Sequence, residues 1–172
     1  MTQYVAFLRA VNVGGTGKLP MAELRAMCEA VGFTHVRTYI ASGNVVFDSR
    51  LDAASAKRTL EASLEAYAGK PVGVLIRTGA ELAAVREGNP FKSSAPNRTV
   101  AIFLDAPPPA DALAKARGRQ EEEMALGTRE IYVHYGNGMA HSKLKIPAAS
   151  AGTARNMNTV ARLVAWTAGA AD

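Results

Sequence analysis

A change of hydrophobic period, recurring in a fixed order, is what most restricts the folds open to this chain. Residues Tyr4 to Val13 carry apolar bulk at Val5, Phe7, Leu8 and Val11, as a buried strand does. Gly14-Gly15-Thr16-Gly17 ends that run as a flexible turn. Pro20 suits the first turn of a helix, where its missing N–H is not needed. Met21, Leu24, Met27, Cys28 and Val31 then follow at helical spacing until Gly32 supplies a stop. Two strands, His35 to Ala41 and Val45 to Asp48, meet at Ser42-Gly43-Asn44, a sequence that favours positive φ. A helix from Ala53 to Tyr67, with Leu60 and Leu64 inward, and a strand from Val72 to Arg77 complete this half.

The order βαββαβ is the split-βαβ, or ferredoxin-like, arrangement. The second half is less regular. A helix near Ala80 to Arg86 leads through Asn89-Pro90-Phe91 and the loop Lys92 to Asn97 into a strand, Thr99 to Asp105. Pro107-Pro108-Pro109 precedes a helix expected at Ala110 to Gly118. Glu121 to Leu126 and Glu130 to Tyr135 read as a hairpin closed by Gly127-Thr128. A Gly- and Lys-bearing loop, Gly136 to Ile146, precedes a last helix at Thr153 to Ala168. The expected class is therefore α+β: two ferredoxin-like (α/β-plait) subdomains over residues 1–78 and 79–172, the second a less regular copy with a C-terminal helix. No residue-level repeat is visible.

Composition narrows the setting. With 172 residues, 48% hydrophobic and 20% charged, the chain can bury a core. No apolar run approaches the roughly 20 residues that cross a bilayer. Met1-Thr2-Gln3-Tyr4 lacks a basic leader region, and Arg9 interrupts the apolar run after it. The lone cysteine, Cys28, excludes an internal disulfide and any multi-cysteine metal site. The expectation is a cytoplasmic protein with no membrane partner. The net charge of +5 is spread evenly, ten basic against seven acidic residues up to Arg86 and ten against eight beyond it. Duplex-binding surfaces carry a denser stripe, so this charge argues only weakly for nucleic acid.

Five segments carry a resemblance: Leu8-Arg9-Ala10-Val11-Asn12-Val13-Gly14-Gly15 with Lys18, Tyr39 to Phe47, Asn89-Pro90-Phe91, Ser142-Lys143-Leu144, and Gly152-Thr153-Ala154-Arg155-Asn156. The chain resembles the bacterial domain-of-unknown-function family 1697 nearly end to end. The resemblance implies a pair of ferredoxin-like subdomains and brings no activity with it. Met157 stands where that family often has Trp after the Arg-Asn pair, so an aromatic ligand contact there would differ in this chain.

The candidate site residues lie on turns and at one expected helix start. Asn12 to Lys18 joins a strand to a helix but is not a P-loop, because Asn12 and Leu19 occupy the positions of the first Gly and the Mg²⁺-binding hydroxyl. A generic anion cradle of Gly14 and Gly15 amides with Lys18 survives that failure, beside the alternative of a flexible turn with a solvated lysine. Arg9, a charge in an apolar strand, must face solvent, pair with a carboxylate or serve a ligand. The open face of a ferredoxin-like sheet can stack RNA bases, but only 6% of residues are aromatic, and no matching strand motif is present. Ser42 and Asn44 either form the turn their composition prefers or present hydrogen-bonding groups beside the first loop. Thr153 reads as the N-cap of the last helix, which would put Arg155 in a first turn whose dipole disfavours a cation. An anion nearby, from the protein or bound, would resolve that conflict, with Asn156, Ser142 and Lys143 able to join it. His35, His134 and His141 show no metal spacing, Cys28 sits on an apolar stripe, and Glu121-Glu122-Glu123 reads as a solvated run.

The leading expectation is a module that binds a phosphate-bearing or other anionic ligand, a nucleotide or single-stranded nucleic acid, in a polar, basic cleft between the subdomains. Arg9, Asn12, Gly14, Gly15, Lys18, Ser42, Asn44, Ser142, Lys143, Thr153, Arg155 and Asn156 would carry it, with no cofactor and no metal. Two alternatives stand beside it: a metal-independent enzyme acting on an anionic small molecule, and a protein-interaction domain with no ligand.

Overall fold

The computed structural model describes residues 1–9, 18–40, 43–136 and 139–169. The chain divides into two compact units, Met1–Leu82 with Ala165–Asp172, and Ala83–Val164. Each unit holds one four-stranded antiparallel sheet.

The first unit runs β1 (Thr2–Leu8), α1 (Met21–Ala30), β2 (Thr34–Tyr39), β3 (Asn44–Ser49), α2 (Ala53–Ala68) and β4 (Val74–Thr78), with strand order β2-β3-β1-β4. That is the ferredoxin-like order. Alternation along β1 sends Tyr4, Ala6 and Leu8 into the core with Leu24 and Cys28 of α1 and Ala56, Leu60 and Leu64 of α2. Each fully buried leucine there contributes about 1.5–3 kcal/mol. Asp52 caps α2 by accepting from the Ser55 N–H at 2.8 Å, and Gly69 closes it at φ +74°, a conformation glycine adopts without a Cβ penalty.

The second unit begins inside α3 (Gly79–Glu87) and continues with β5 (Thr99–Phe103), β6 (Glu123–Leu126), β7 (Glu130–His134), β8 (Thr153–Asn156) and most of α4 (Met157–Gly169). Its strand order, β6-β7-β5-β8, repeats the first when strands are counted from β5. The register repeats as well. Val5 pairs with Val46 and Arg77, and Ala101 pairs with Tyr132 and Arg155. Phe7 thus matches Phe103, and Thr78 matches Asn156.

The copy departs from the original in its connections. The helix expected at Ala110 to Gly118 is a series of turns, with Ala112 N–H bonded to Pro109 O and Ala116 N–H to Leu113 O. Arg117 then leaves any helical path to form a two-bond bridge with Lys145, both bonds at 2.8 Å. Gly118 sits at φ +72°, where a Cβ would lie 2.2 Å from the Lys143 carbonyl oxygen. The last helix likewise starts at Met157 rather than Thr153, because Thr153–Asn156 pairs with β5.

On the inner strands of each sheet, residues of both faces are buried, while the edge strands β2 and β6 are largely exposed or half-buried. Opposite the helical core of the first sheet, Val5, Phe7, Val46, Leu75 and Arg77 are no more than 2% exposed. In the second, Ala101, Phe103, Tyr132 and Arg155 are buried opposite the core formed by Val100, Ile102, Ile131 and Val133. Among the described residues, the inner strands of neither sheet present an exposed aromatic ring on which bases could stack.

Candidate functional site

Several polar residues singled out by the sequence are consumed by the fold. Asn44 is fully buried, and its Nδ2 donates to Tyr39 O at 2.9 Å, tying β2 to β3 across a turn with Ile40 at φ +51° and Gly43 at φ +87°. Arg9 lies just past β1, half buried, with its N–H on Gly73 O at 2.9 Å and its side chain packed over Gly73. Lys18 and Lys143 are exposed. Asn12, Gly14, Gly15 and Ser42 lie outside the described residues.

The helix-dipole argument for Arg155 is overturned by its place in β8. The guanidinium is buried and donates through one nitrogen to Thr153 Oγ1 at 2.8 Å and Ala154 O at 2.9 Å. Burial pulls its pKa down to about 10, so it stays charged at neutral pH. Arg77, at the matching register of the first sheet, donates in the same way to Ile76 O at 2.8 Å. Asn156 is the cap of α4, its Oδ1 accepting from the Thr159 N–H at 2.9 Å. Ser142 is occupied too, donating to Glu122 Oε2 at 2.5 Å. That bond first, and the Gln120 N–H second, hold the Glu122 carboxyl below its usual range.

Nucleophiles and metal ligands do not gather. Burial pushes the Cys28 thiol up to about 12, which removes the thiolate at neutral pH. Thr99 Oγ1 donates to Ala95 O, so the 2.9 Å contact with His134 uses that ring's Nδ1–H as donor. Among the described residues no three His, Cys, Asp or Glu side chains are placed to hold a metal ion. No helix among them is long and apolar enough to cross a membrane. Arg37 stacks 3.8 Å above the Trp166 ring, which Tyr39 meets edge-on at 5.4 Å, so that cluster closes on itself.

What the second unit does leave open is a cavity of about 460 Å³. One stretch of chain lines it with Arg86 and Glu87 from the end of α3, Asn89 and Lys92 from the following turn, and Pro96. Met157, Asn158 and Ala161 from the first turns of α4 complete the lining. Asn-Pro-Phe builds the turn: Asn89 Oδ1 accepts from the Phe91 N–H at 2.9 Å, an Asx turn. Asn89 is only 9% exposed, and its Nδ2 has no hydrogen-bond partner among the described residues. Since no fully buried side-chain nitrogen or oxygen lacks a partner there, that amide nitrogen keeps some solvent exposure, and Asn89 is one of the residues that line the cavity. Lys92 sits 3.4 Å from Glu87, both well exposed, an arrangement of little energetic weight. Arg86 is exposed and makes no ion pair among the described residues. The first-turn N–H groups of α4, which a helix cannot satisfy internally, add positive potential beside Met157 and Asn158.

Sequence reasoning saw Asn89-Pro90-Phe91 as a motif and missed it as a site. The available signal was a turn-forming Asn between two cations, Arg86 and Lys92, directly after a helix.

The family model described as "Protein of unknown function (DUF1697)" matches residues 1–132. No curated protein matches the chain. Among solved structures, the conserved bacterial protein SP0830 from Streptococcus pneumoniae is similar, with a TM-score of 0.80 and 25% identity. The alignment covers 96% of this chain and 98% of that one.

Proposed function

The chain belongs to the DUF1697 family, and we propose that it binds a small anionic molecule, phosphate- or carboxylate-bearing, in the cavity between the end of α3 and the start of α4. The observation that carries this reading is the Asn89 amide, nine-tenths buried, without a protein acceptor among the described residues and on the lining of a cavity that also holds Arg86, unpaired among them. The Asn89 Nδ2 keeps solvent access, and an anion that accepts from it while pairing with a guanidinium makes charge-assisted hydrogen bonds stronger than those to water. Three features support a small molecule over single-stranded nucleic acid. The cavity lies within the range of about 300–1,000 Å³ typical of small-ligand pockets. Among the described residues, the inner strands of both sheets lack an exposed aromatic ring on which bases would stack. The lining holds cations and amides but no aromatic ring.

The test is a thermal-shift series with inorganic phosphate, pyrophosphate, acetate and adenosine 5′-monophosphate at low salt, on the wild type and on Arg86→Gln. A ligand at 100 times its dissociation constant adds about 2.7 kcal/mol to the native state. For a chain of this size that raises the midpoint by roughly 5–10 °C. The shift is expected in the wild type and lost in Arg86→Gln. An unmoved midpoint with every anion overturns the proposal.

A further inference from the structure

We infer that Tyr132, a residue of β7 outside the cavity lining, positions the anion site by holding the end of α3, and with it Arg86 and Asn89. The inference rests on the anion-binding reading of the cavity and adds to it a residue that acts through the backbone.

The nine residues of α3 are too few to fix the helix end by themselves. Isolated helices shorter than about 12–15 residues are marginal in water, and the last carbonyls of any helix lack an intrahelical donor. Gly88 N–H still donates to Ala84 O at 2.9 Å, as in a regular helix. Asn89 N–H, which a continuing helix would aim at Val85 O, goes instead to Arg86 O at 3.4 Å. That leaves Val85 O to a side chain, and the Tyr132 hydroxyl donates to it at 2.6 Å. The bond ties the second sheet to α3 at the residue just before Arg86.

The surroundings of this hydroxyl keep it in place. Tyr132 and Val85 are both buried, so water does not readily replace a lost bond between them. Gly88 admits the close approach, since a Cβ there would lie 3.1 Å from the Tyr132 hydroxyl and 3.2 Å from Ala84 O. The Glu130 carboxylate, which accepts from the Thr128 and Arg129 N–H groups at 3.1 and 2.9 Å, lies 3.4 Å from the same hydroxyl. Burial first, and that carboxylate second, push the phenol pKa up, so the hydroxyl keeps its proton and remains a donor to Val85. Arg86 follows Val85 directly, and Asn89 lies three residues further on. Binding side chains need to be held within about 0.5 Å by supporting contacts of this kind.

Titration calorimetry of the whole protein with inorganic phosphate and acetate, together with amide hydrogen exchange, tests this on Tyr132→Phe and Ile131→Val. The first variant removes only the hydroxyl. The second shortens a fully buried neighbour on the opposite face of β7, and serves as a destabilised control. Tyr132→Phe is expected to weaken the anion about three- to tenfold and to speed exchange at the Gly88 and Asn89 amides ahead of the rest of the unit. Ile131→Val is expected to lower the urea midpoint and keep wild-type affinity. Gly88→Ala crowds the hydroxyl from the side of α3, is expected to weaken the anion in the same way, and replaces Tyr132→Phe if that variant does not fold. Wild-type affinity in the folded variant, or equal weakening in Ile131→Val, overturns the inference and leaves the anion site standing. A wild type that binds neither probe overturns both.

Discussion

Asn89→Asp separates the two jobs that one side chain performs. Oδ1 holds the Asn-Pro-Phe turn by accepting from the Phe91 N–H at 2.9 Å, and a carboxylate oxygen accepts that bond equally well. Nδ2 keeps some solvent exposure on a residue of the cavity lining, and there the substitution replaces a donor by a negative oxygen. Losing a hydrogen bond to a charged group costs about 1.5–3 kcal/mol. Placing a negative charge about 4 Å from a bound anion adds up to about 4 kcal/mol at an effective dielectric constant near 20. Affinity is therefore expected to fall by roughly tenfold to a hundred-thousandfold, at about 1.4 kcal/mol per factor of ten. The turn survives, so the urea midpoint should stay near that of the wild type, whereas Asn89→Ala gives up the turn acceptor and loses about 1 kcal/mol. Titration calorimetry with inorganic phosphate and adenosine 5′-monophosphate reads the first effect, and urea unfolding the second. A folded Asn89→Asp protein that binds either probe with wild-type affinity would refute the assignment of Nδ2 to the ligand.

Gly118→Ala is expected to destabilise the chain by about 2 kcal/mol or more, since φ is +72° and the added Cβ meets a backbone carbonyl fixed by the Arg117–Lys145 bridge; urea unfolding checks it, and an unchanged midpoint contradicts it. Ser142→Ala acts through pH. The Glu122 carboxyl is held below its ordinary 4.5 by the Ser142 hydroxyl and the Gln120 N–H, so it contributes stability above about pH 4.5 that is lost as pH falls through its lower folded value. Removing the hydroxyl should lower stability at neutral pH and flatten the acid decline, and a curve merely parallel to the wild type between pH 3 and 7 would exclude the Ser142–Glu122 bond as its cause.

The first unit was legible because its signals are local. Leu60 and Leu64 at helical spacing, Gly32 after the first helix and Gly43 in the hairpin each act within a few residues, and α1, α2, β2, β3 and β4 lie within a few positions of where they are expected. The second unit failed where long-range pairing decides. Residues 110–118 have helical composition, yet Arg117 gains two backbone bonds from Lys145, a partner 28 positions away that no local pattern announces. Thr153 is as good a cap as Asn156, and what moves the helix start by one turn is the demand of β5 for a fourth strand. The helix-dipole reading of Arg155 suffered from the same error. With Arg155 placed on a helix, its charge looked unexplained, whereas in β8 it serves Thr153 and Ala154. Asn44, Arg155 and Asn156, conspicuous in the sequence, serve the local backbone, and the quieter Arg86, Asn89 and Asn158 line the cavity.

The internal repeat sharpens that distinction. A polar residue that recurs at one register in both sheets answers to the sheet, and Arg77 with Arg155 is such a pair, each donating to the carbonyl just before it. Thr78 and Asn156 are another, each capping the helix that follows the fourth strand. The two helix starts then diverge. At α3 the cap is a full capping box: Glu81 N–H donates to Thr78 Oγ1 at 3.1 Å, and Glu81 Oε1 accepts from the Thr78 N–H at 2.8 Å, which brings a carboxylate to the positive end of the helix. At α4 the position matching Glu81 is Thr159, and the first turn holds no acidic residue. The same structural slot is therefore filled by the protein's own anion in one copy and left without one in the other. The copy without it is the one whose helix start lines a cavity with Arg86, unpaired among the described residues, and the amide of Asn89. A Thr159→Glu substitution would rebuild the capping box in the second copy, and under the proposed reading its charge at the helix start is expected to weaken inorganic phosphate in titration calorimetry, an unchanged affinity counting against that reading.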